Sequence, residues 1–170
     1  MRTARDERAR VRGAQGGSVS DLETLFRTHW PRAYRAAYLV THDSAAAEDI
    51  AQESFLAALR ALDTFDRRRP FGPWLHRIVV NRAIDWTRAR RLRSEVELSD
   101  ALHAPTRDEA PGDDVLAALA RLPPEHRAVV VMRYLLEFTP GEIADALGLA
   151  RGTVNSRLRR GLDSLAEDLS

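Results

Sequence analysis

The sequence predicts an all-α protein made of two small helical domains that are joined by a flexible acidic linker. From Leu22 onward the apolar residues recur mostly at helical spacing, with little strand-like alternation. Residues 94–114 contain two prolines, one glycine and mostly polar side chains, which is typical of a linker. The stretch from Gly141 to Leu162 has the pattern of two short amphipathic helices around one glycine. The C-terminal domain is therefore predicted to be a helix-turn-helix.

Composition narrows the class of protein. The 170 residues are 44% hydrophobic and 30% charged, so the chain can bury a core. No apolar run approaches the roughly 20 residues that span a membrane, and no secretory signal is visible, so we expect a cytoplasmic protein. Cysteine is absent and the five histidines lack ligand spacing. We therefore expect no disulfide, no metal and no other cofactor.

The N-terminal domain is predicted to span residues 18–93. Residues 1–17 before it are polar and arginine-rich and end in two glycines, so we expect a disordered tail. Ser20 or Asp21 can cap the first helix of the domain. A second, strongly amphipathic helix is expected to open at Asp43 and Ser44, and a third follows the break formed by "DTFDRRRPFGP".

The C-terminal domain is predicted to span residues 115–170. Thr139 and Glu142 form a capping box at the start of one helix. Gly148 lies in the turn that follows, where a positive φ is easily adopted. The helix after this turn carries one apolar stripe, formed by Val154, Leu158, Leu162 and Leu165.

The outer face of this last helix is the first candidate nucleic-acid site. At about 100° per residue, Gly152, Ser156, Arg159 and Arg160 point away from the apolar stripe. Serine and arginine suit base edges and phosphates. The residues predicted to bind DNA are Arg151, Thr153, Asn155, Ser156, Arg157, Arg159 and Arg160.

A second candidate nucleic-acid site lies in "FDRRRPFGPWLHRIVVNRAIDW", which mixes aromatic rings with arginines around a tight loop. Rings can stack on bases, guanidinium groups can pair with phosphates and an amide can read an exposed base edge, which is what a groove for single-stranded DNA needs. The predicted residues are Phe65, Asp66, Arg67, Arg68, Arg69, Phe71, Trp74, Arg77, Asn81 and Arg82. Each also has a plainer interpretation, because Phe71 and Trp74 are typical core residues and three consecutive arginines can form a solvated turn.

Charge is distributed unevenly along the chain. Residues 60–93 carry a net charge of +7 and residues 94–114 carry −6, although the whole chain carries only +1. A basic block followed at once by an acidic block indicates segments with different partners.

Several classes of protein fit the helix-turn-helix alone. A stand-alone regulator could bind DNA with residues 115–170, but no dimerisation helix is visible. A mimic that binds no DNA is disfavoured by the two basic faces. No nucleophile–base pair, metal cluster or phosphate loop is visible, so we expect neither an enzyme nor a small-molecule substrate.

Three motif blocks follow one another in the chain: "EDIAQESFLAALRALDTF", "PFGPWLHRIVVNRAIDWTRARR" and "LARLPPEHRAVVVMRYLLEFTPGEIADALGLARGTVNSRLRRG". In this order they resemble a bacterial RNA polymerase sigma factor of the extracytoplasmic-function (ECF) group, within the sigma-70 superfamily. The resemblance covers about residues 20–168. It implies a factor that is a monomer when free and has three partners: core RNA polymerase, promoter DNA and an anti-sigma factor, which often holds such proteins at the membrane.

The resemblance also implies which segments bind the polymerase. Residues 18–93 would form region 2, which docks on core polymerase and recognises the minus-ten element. Asp49, Gln52 and Glu53 match the surface that binds the clamp coiled coil of the largest polymerase subunit. The acidic linker would run through the polymerase cleft, whose basic walls suit its charge.

Two further roles concern DNA. The loop that matches Phe65–Phe71, together with Asn81, would capture a base flipped from the minus-ten element and so help to melt it. Residues 115–170 would form region 4, which reads the minus-thirty-five element in the major groove. The side chains that match its reading positions are Asn155, Ser156, Arg159 and Arg160.

Overall fold

The computed structural model describes the backbone of residues 2–97 and 114–170 and the side chains of residues 5–94 and 114–170. Within these residues the chain forms eight α-helices and one short 3-10 helix, and no strand, so the all-α prediction is confirmed. The helices are α1 (Arg2–Gln15), α2 (Val19–Thr41), α3 (Ser44–Arg60), α4 (Phe71–Glu97), α5 (Asp114–Arg121), α6 (Pro124–Tyr134), α7 (Pro140–Leu147) and α8 (Arg151–Asp168), with the 3-10 helix at Leu62–Thr64.

The N-terminal segment differs from the prediction. Residues 1–17 were expected to be disordered, but α1 packs against α2 and α4. Val11 is only 2% exposed, and the Gln15 amide donates to the carbonyl oxygen of Leu62 at 2.7 Å. The prediction was wrong because a polar composition does not exclude a helix that buries one apolar side chain against tertiary contacts.

Helices α2, α3 and α4 form the N-terminal bundle. Ser18, and not Ser20 or Asp21, caps α2 by accepting from the backbone N–H of Asp21 at 3.3 Å. Asp43 caps α3 as predicted, accepting from the N–H of Ala46 at 2.9 Å. Much of the bundle core consists of alanines with no exposed surface, and these small side chains let the helices approach closely. The fully buried alanines of α2 and α3 are Ala33, Ala36, Ala37, Ala47 and Ala51.

The helix-turn-helix has the predicted capping box and the predicted glycine turn. Thr139 and Glu142 form the capping box of α7, and Gly148 adopts a left-handed conformation with φ 64°. Leu162 was predicted to belong to the apolar stripe of α8, but its side chain is 38% exposed. Gly161 is buried in its place, and a Cβ there would lie 3.0 Å from Val130 Cγ2. The stripe therefore follows a 4-3-4 spacing, and a glycine makes the closest contact with α6.

The linker is shorter than predicted at both ends. Helix α4 continues to Glu97, so the beginning of the segment predicted as linker at 94–114 is helical, and α5 begins at Asp114. Residues 98–113, where the flexible acidic linker is predicted, lie outside the described residues.

The two domains pack against each other. The sequence predicted two domains joined by a flexible linker and gave no sign of this contact. Helix α6 contacts α2 and α4, and α7 contacts α4. Arg127 of α6 is 7% exposed and donates to the Val40 carbonyl at the C-terminal end of α2 at 2.8 Å. Its other donor group bonds Ala120 O at 3.0 Å and Leu122 O at 2.9 Å. One buried guanidinium thus joins the end of α2 to the end of α5 and the loop that follows it.

None of the helices in the described ranges is long and apolar enough to cross a bilayer.

Candidate nucleic-acid interface

The predicted docking residues share one outer face of α3. Asp49, Gln52 and Glu53 are all exposed because Ile50, Ala51 and Ser54 face the bundle core. Their exposure leaves the three side chains accessible to a partner, and their role in binding polymerase stays a prediction. Glu53 also accepts a hydrogen bond from Arg82 of α4, at 3.0 Å. Arg82 therefore fixes a carboxylate of this face and is not directed only towards DNA.

The aromatic residues of the second site do not form the predicted stacking platforms. Phe65 is 8% exposed and Phe71 is 4% exposed, so neither ring presents a face to a base. The rings pack on Trp74, with centroid distances of 4.5 Å and 5.6 Å. Only Trp74 keeps part of its surface accessible. The plainer interpretation, packing in the core, holds for Phe71. Phe65 is buried as well, since the bundle gains more by burying both rings than by leaving them in water.

The polar residues between these two rings form a turn that points into solvent. Arg67, Arg68 and Arg69 are all exposed, as is Asp66. Asp66 accepts from the backbone N–H of Arg68 and from its guanidinium, both at 3.0 Å. These bonds hold the pKa of Asp66 below its usual range. The structure thus brings the three guanidinium groups to one exposed loop.

Asn81 and Arg77 lie one turn apart on α4 and face the C-terminal domain. The Asn81 amide donates to Ala146 O of α7 at 3.1 Å and to Arg77 O at 3.0 Å. Arg77 donates to Asp145 O at 2.9 Å. The predicted base-reading amide is therefore occupied by the first helix of the helix-turn-helix, an arrangement that no local sequence pattern could show.

Helix α8 presents most of the predicted DNA-binding residues to solvent. Ser156 and Arg157 are half-buried. The exposed members are Arg151, Thr153, Asn155, Arg159 and Arg160. The N-terminus of α8, which follows Ala150, has no side-chain cap. Its N–H groups and partial positive charge are thus free to face an anion.

Arg157 and Asn81 line the same polar cleft of about 50 Å³ between the two domains, together with Asp85 and Glu125. The face predicted to capture a flipped base and the inner edge of the recognition helix therefore meet in this structure. We refer to this packing of α4 against α6 and α7, with the recognition helix lining the cleft between the domains, as the closed arrangement.

A buried polar cluster under the loop was missed by the sequence reasoning. His29 Nε2 lies 2.8 Å from Glu7 Oε1, and the hydrogen bond from His29 is the main cause of a lowered pKa of Glu7. His76 is 4% exposed, and burial lowers its pKa to about 4. Glu7, Val11 and Gln15 recur every four residues, which is the signal that could have revealed the buried face of α1.

Comparison with known protein families gives two matches that follow one another along the chain. The family model described as Sigma-70 region 2 matches residues 25–93. The model described as Sigma-70, region 4 matches residues 112–165.

Two relatives of this chain are named as ECF RNA polymerase sigma factors. The ECF RNA polymerase sigma factor SigE of Mycolicibacterium smegmatis is 37% identical over 163 residues, which are 90% of this chain and 63% of that protein. The chain therefore spans less than two thirds of the length of SigE. SigL of Mycobacterium tuberculosis, also an ECF RNA polymerase sigma factor, is 35% identical over 167 residues, covering 92% of this chain and 93% of SigL.

Solved structures show the same arrangement of helices. CnrH in complex with the cytosolic domain of CnrY superposes with a TM-score of 0.71 at 29% identity, covering 96% of both chains. The sigma factor RpoE from Bartonella quintana, in complex with the anti-sigma factor NepR, superposes with a TM-score of 0.70 at 25% identity, covering 89% of this chain and 98% of that chain.

Proposed function

This chain belongs to the ECF group of RNA polymerase sigma factors, and we propose which of its surfaces carry out that role. A sigma factor binds core RNA polymerase, directs it to specific promoters and helps to melt the minus-ten region. The nucleotide chemistry belongs to the polymerase, and the sigma factor supplies specificity. The observation that carries the assignment is that one chain presents an acidic docking face, a basic loop and a basic recognition helix on distinct surfaces.

The acidic face of α3 is the proposed docking site for core polymerase. Asp49, Gln52 and Glu53 are exposed there, and Leu56 beside them is 50% exposed. An apolar side chain among carboxylates suits a protein interface better than contact with DNA, because phosphates repel carboxylates. We assign this face to the clamp coiled coil of the largest subunit.

The loop between Phe65 and Phe71, with α4, is the proposed minus-ten site. Arg67 and Arg69 supply positive charge for the phosphates of a melted strand, and Trp74 supplies the accessible part of a ring. Asn81 supplies the amide that reads a base edge once it has left Ala146 O. Unstacking one base costs a few kcal/mol. Contacts of about 1–3 kcal/mol per stacked base can offset that cost.

Helix α8 is the proposed reader of the minus-thirty-five element. Its exposed side chains are long enough to reach base edges in the major groove, and its uncapped N-terminus can face a phosphate. Arg159 and Arg160 follow one another on the solvent side, so the two guanidinium groups can grip a base edge and the adjacent backbone.

The closed arrangement has to open for both elements to be bound together. The element names imply a separation of about 25 base pairs, or roughly 85 Å along B-DNA. Asn81 and Arg157 line one cleft in the free chain, so the two sites are far too close. A chain of the length of residues 98–113 can span at most about 55 Å. Together with the width of the two domains, this length is enough to bridge the separation.

An anti-sigma factor is a further proposed partner. RpoE, which this chain resembles in structure, was solved in complex with the anti-sigma factor NepR. We propose that a protein of this class also binds the present chain and keeps it from polymerase. We place the chain in the cytoplasm, where polymerase acts, with recruitment to the membrane only when an anti-sigma factor is anchored there.

Co-elution with purified core RNA polymerase tests this assignment. Wild-type protein is expected to co-elute at moderate salt, and Asp49→Arg is expected to weaken binding at least tenfold, because it reverses a charge at the docking face. Asp6→Arg is the matched control, since it reverses the charge of an exposed acid on α1, a helix that packs on α2 and α4. Failure of the wild type to bind core enzyme, combined with tight binding to duplex DNA, would instead indicate a stand-alone regulator.

A further inference from the structure

One face of α1 lies against the minus-ten loop. Glu7, Val11 and Gln15 recur every four residues and are half-buried or buried, as are Gly13 and Ala14, whereas Asp6 and Arg10 are exposed. The helix precedes residue 25, where the match to the region 2 family begins. Its contacts are therefore not accounted for by that match.

Gln15 holds the start of the loop. Its amide nitrogen donates to Leu62 O at 2.7 Å and to Phe65 O at 3.3 Å. These two carbonyl groups belong to the 3-10 helix and to the first loop residue, and Leu62 O also accepts from the backbone N–H of Phe65 at 3.1 Å. One side chain thus satisfies two acceptors and ties the loop to α1.

Glu7 holds the end of the loop. Its Oε1 lies 2.8 Å from His29 Nε2, and the His29 ring packs on Phe71, the first residue of α4, with a centroid distance of 5.3 Å. The backbone N–H groups of Phe71 and Gly72 also help to lower the pKa of Glu7. A carboxylate at a helix N-terminus is favoured by the unpaired N–H groups and by the helix dipole. Gly72 is necessary for this arrangement, because a Cβ there would lie 2.9 Å from His29 Cε1.

Arg8 adds a weaker contact in the middle of the loop. Its guanidinium lies 3.5 Å from the carbonyl oxygen of Arg68. Together, Gln15 and Arg8 contact the loop at its beginning and middle, and Glu7 acts on its end through His29, while the loop's own guanidinium groups stay in solvent.

We propose that α1 is a positioning element for base selection at the minus-ten element, in which Gln15 and Glu7 fix both ends of the loop from Phe65 to Phe71. The inference rests on the proposed role of this loop. A loop held at both ends before DNA arrives loses less conformational entropy on binding. It also presents its base pocket in one shape, and the pocket shape determines which flipped base is accepted. The residues of α1 act through the loop and do not themselves contact the base.

The test compares two double variants of the full chain. Glu7→Ala/Gln15→Ala removes both contacts from the loop-facing side, and Asp6→Ala/Arg10→Ala is matched on the exposed side of the same helix. Each protein is combined with core polymerase and given a pool of promoters randomised through the minus-ten and minus-thirty-five elements. The run-off transcripts are sequenced, and the preference for each base at each position is expressed as a ratio.

The loop-facing variant is expected to reduce the preferred-to-disfavoured base ratio at minus-ten positions about three- to tenfold, the effect of losing one or two hydrogen bonds. Its ratios at minus-thirty-five positions and its binding to core polymerase should remain as in the wild type. The control should keep every ratio. A helix that only stabilised the fold would instead lower transcription from all promoters equally.

Two outcomes overturn the inference. Unchanged minus-ten ratios in the loop-facing variant would show that α1 does not position the loop, and would leave the proposed function intact. Absence of any minus-ten preference in the wild type would refute the role of the loop and the inference with it. If the double variant does not fold, Gln15→Glu gives the same comparison, because it keeps the shape of the side chain but cannot donate to the two carbonyl groups.

Discussion

Arg127 makes a buried hydrogen bond between the two domains. It is almost completely buried and bonds three carbonyl groups in two different parts of the chain. Burial lowers its pKa to about 10, so it remains charged at neutral pH. A buried cation without a carboxylate partner is tolerated here because carbonyl oxygens, including one at the C-terminal end of α2, face it.

Arg127→Met is expected to lower the free energy of unfolding by roughly 2–4 kcal/mol, because it leaves buried carbonyl groups without donors. Urea unfolding followed by circular dichroism measures the change. Arg88→Met is the control, since Arg88 is exposed and its nearest carboxylate, on Asp85, is 3.9 Å away. It should change stability by no more than about 0.5 kcal/mol. Equal effects of the two substitutions would contradict this role of Arg127.

Two histidines make stability depend on pH. Burial is the main cause that lowers the pKa of His76 and of His42 to about 4, while an unfolded histidine titrates near 6.5. Between these values the unfolded chain takes up protons that the folded chain does not. The free energy of unfolding is therefore highest above pH 6.5 and falls as the pH drops towards 4.

Each of the two histidines contributes up to about 1.4 kcal/mol per pH unit in this window. Urea midpoints measured at pH 7.5 and pH 5 should show a clear loss of stability in the wild type. His76→Leu should show a smaller loss between the two pH values, because it removes one proton-binding site from the unfolded chain. The same loss in both proteins would contradict this role of His76.

At the scale of helices, two glycines near the turn of the helix-turn-helix should respond in opposite ways. Gly148 ends α7 with φ 64°, whereas Gly152 lies in the first turn of α8, where an added Cβ would meet nothing within 4 Å. Gly148→Ala is expected to cost about 1–2 kcal/mol. Gly152→Ala is expected to stabilise by up to about 1 kcal/mol. Changes of the same sign in urea unfolding would contradict the assigned geometry.

Elements whose cause is local could be predicted from the sequence. The capping box of α7, the turn at Gly148 and the Asp43 cap of α3 each depend on residues within a few positions, and each is present. Helix α1 could not be predicted from composition, because its stability comes from contacts with α2 and α4. The helix boundaries on either side of the linker differ from the predicted ones by up to a few residues, since the ends of helices are poorly marked in a sequence.

Only part of the candidate site, too, could be predicted from the sequence. Exposure of the α3 carboxylates follows from helical spacing, because the buried residues Ile50 and Ser54 lie on the opposite face. The burial of Phe65 was not predicted and that of Phe71 was one of two interpretations, because aromatic residues serve both for stacking on bases and for packing a core. The bond between Asn81 and Ala146 O joins residues 65 positions apart, so no local pattern contains it.

For the whole molecule, the central claim is that one chain carries two promoter readers that face each other when free and separate on the polymerase. Asn81 and Arg77 are bonded to α7, so opening costs these contacts and the burial around Arg127. Polymerase and promoter have to supply the corresponding binding energy. Substitutions that weaken the domain contact should therefore favour polymerase binding, provided that both domains stay folded.

Energy transfer between two dyes tests this claim most directly. The chain contains no cysteine, so single cysteines at Ala45 on α3 and Ala166 on α8, both exposed, allow specific labelling. The account predicts efficient transfer in the free protein and a large decrease when core RNA polymerase is added, with no change when an Asp49→Arg version is used at the same concentration. Transfer that stays high in a polymerase complex active in transcription would contradict it.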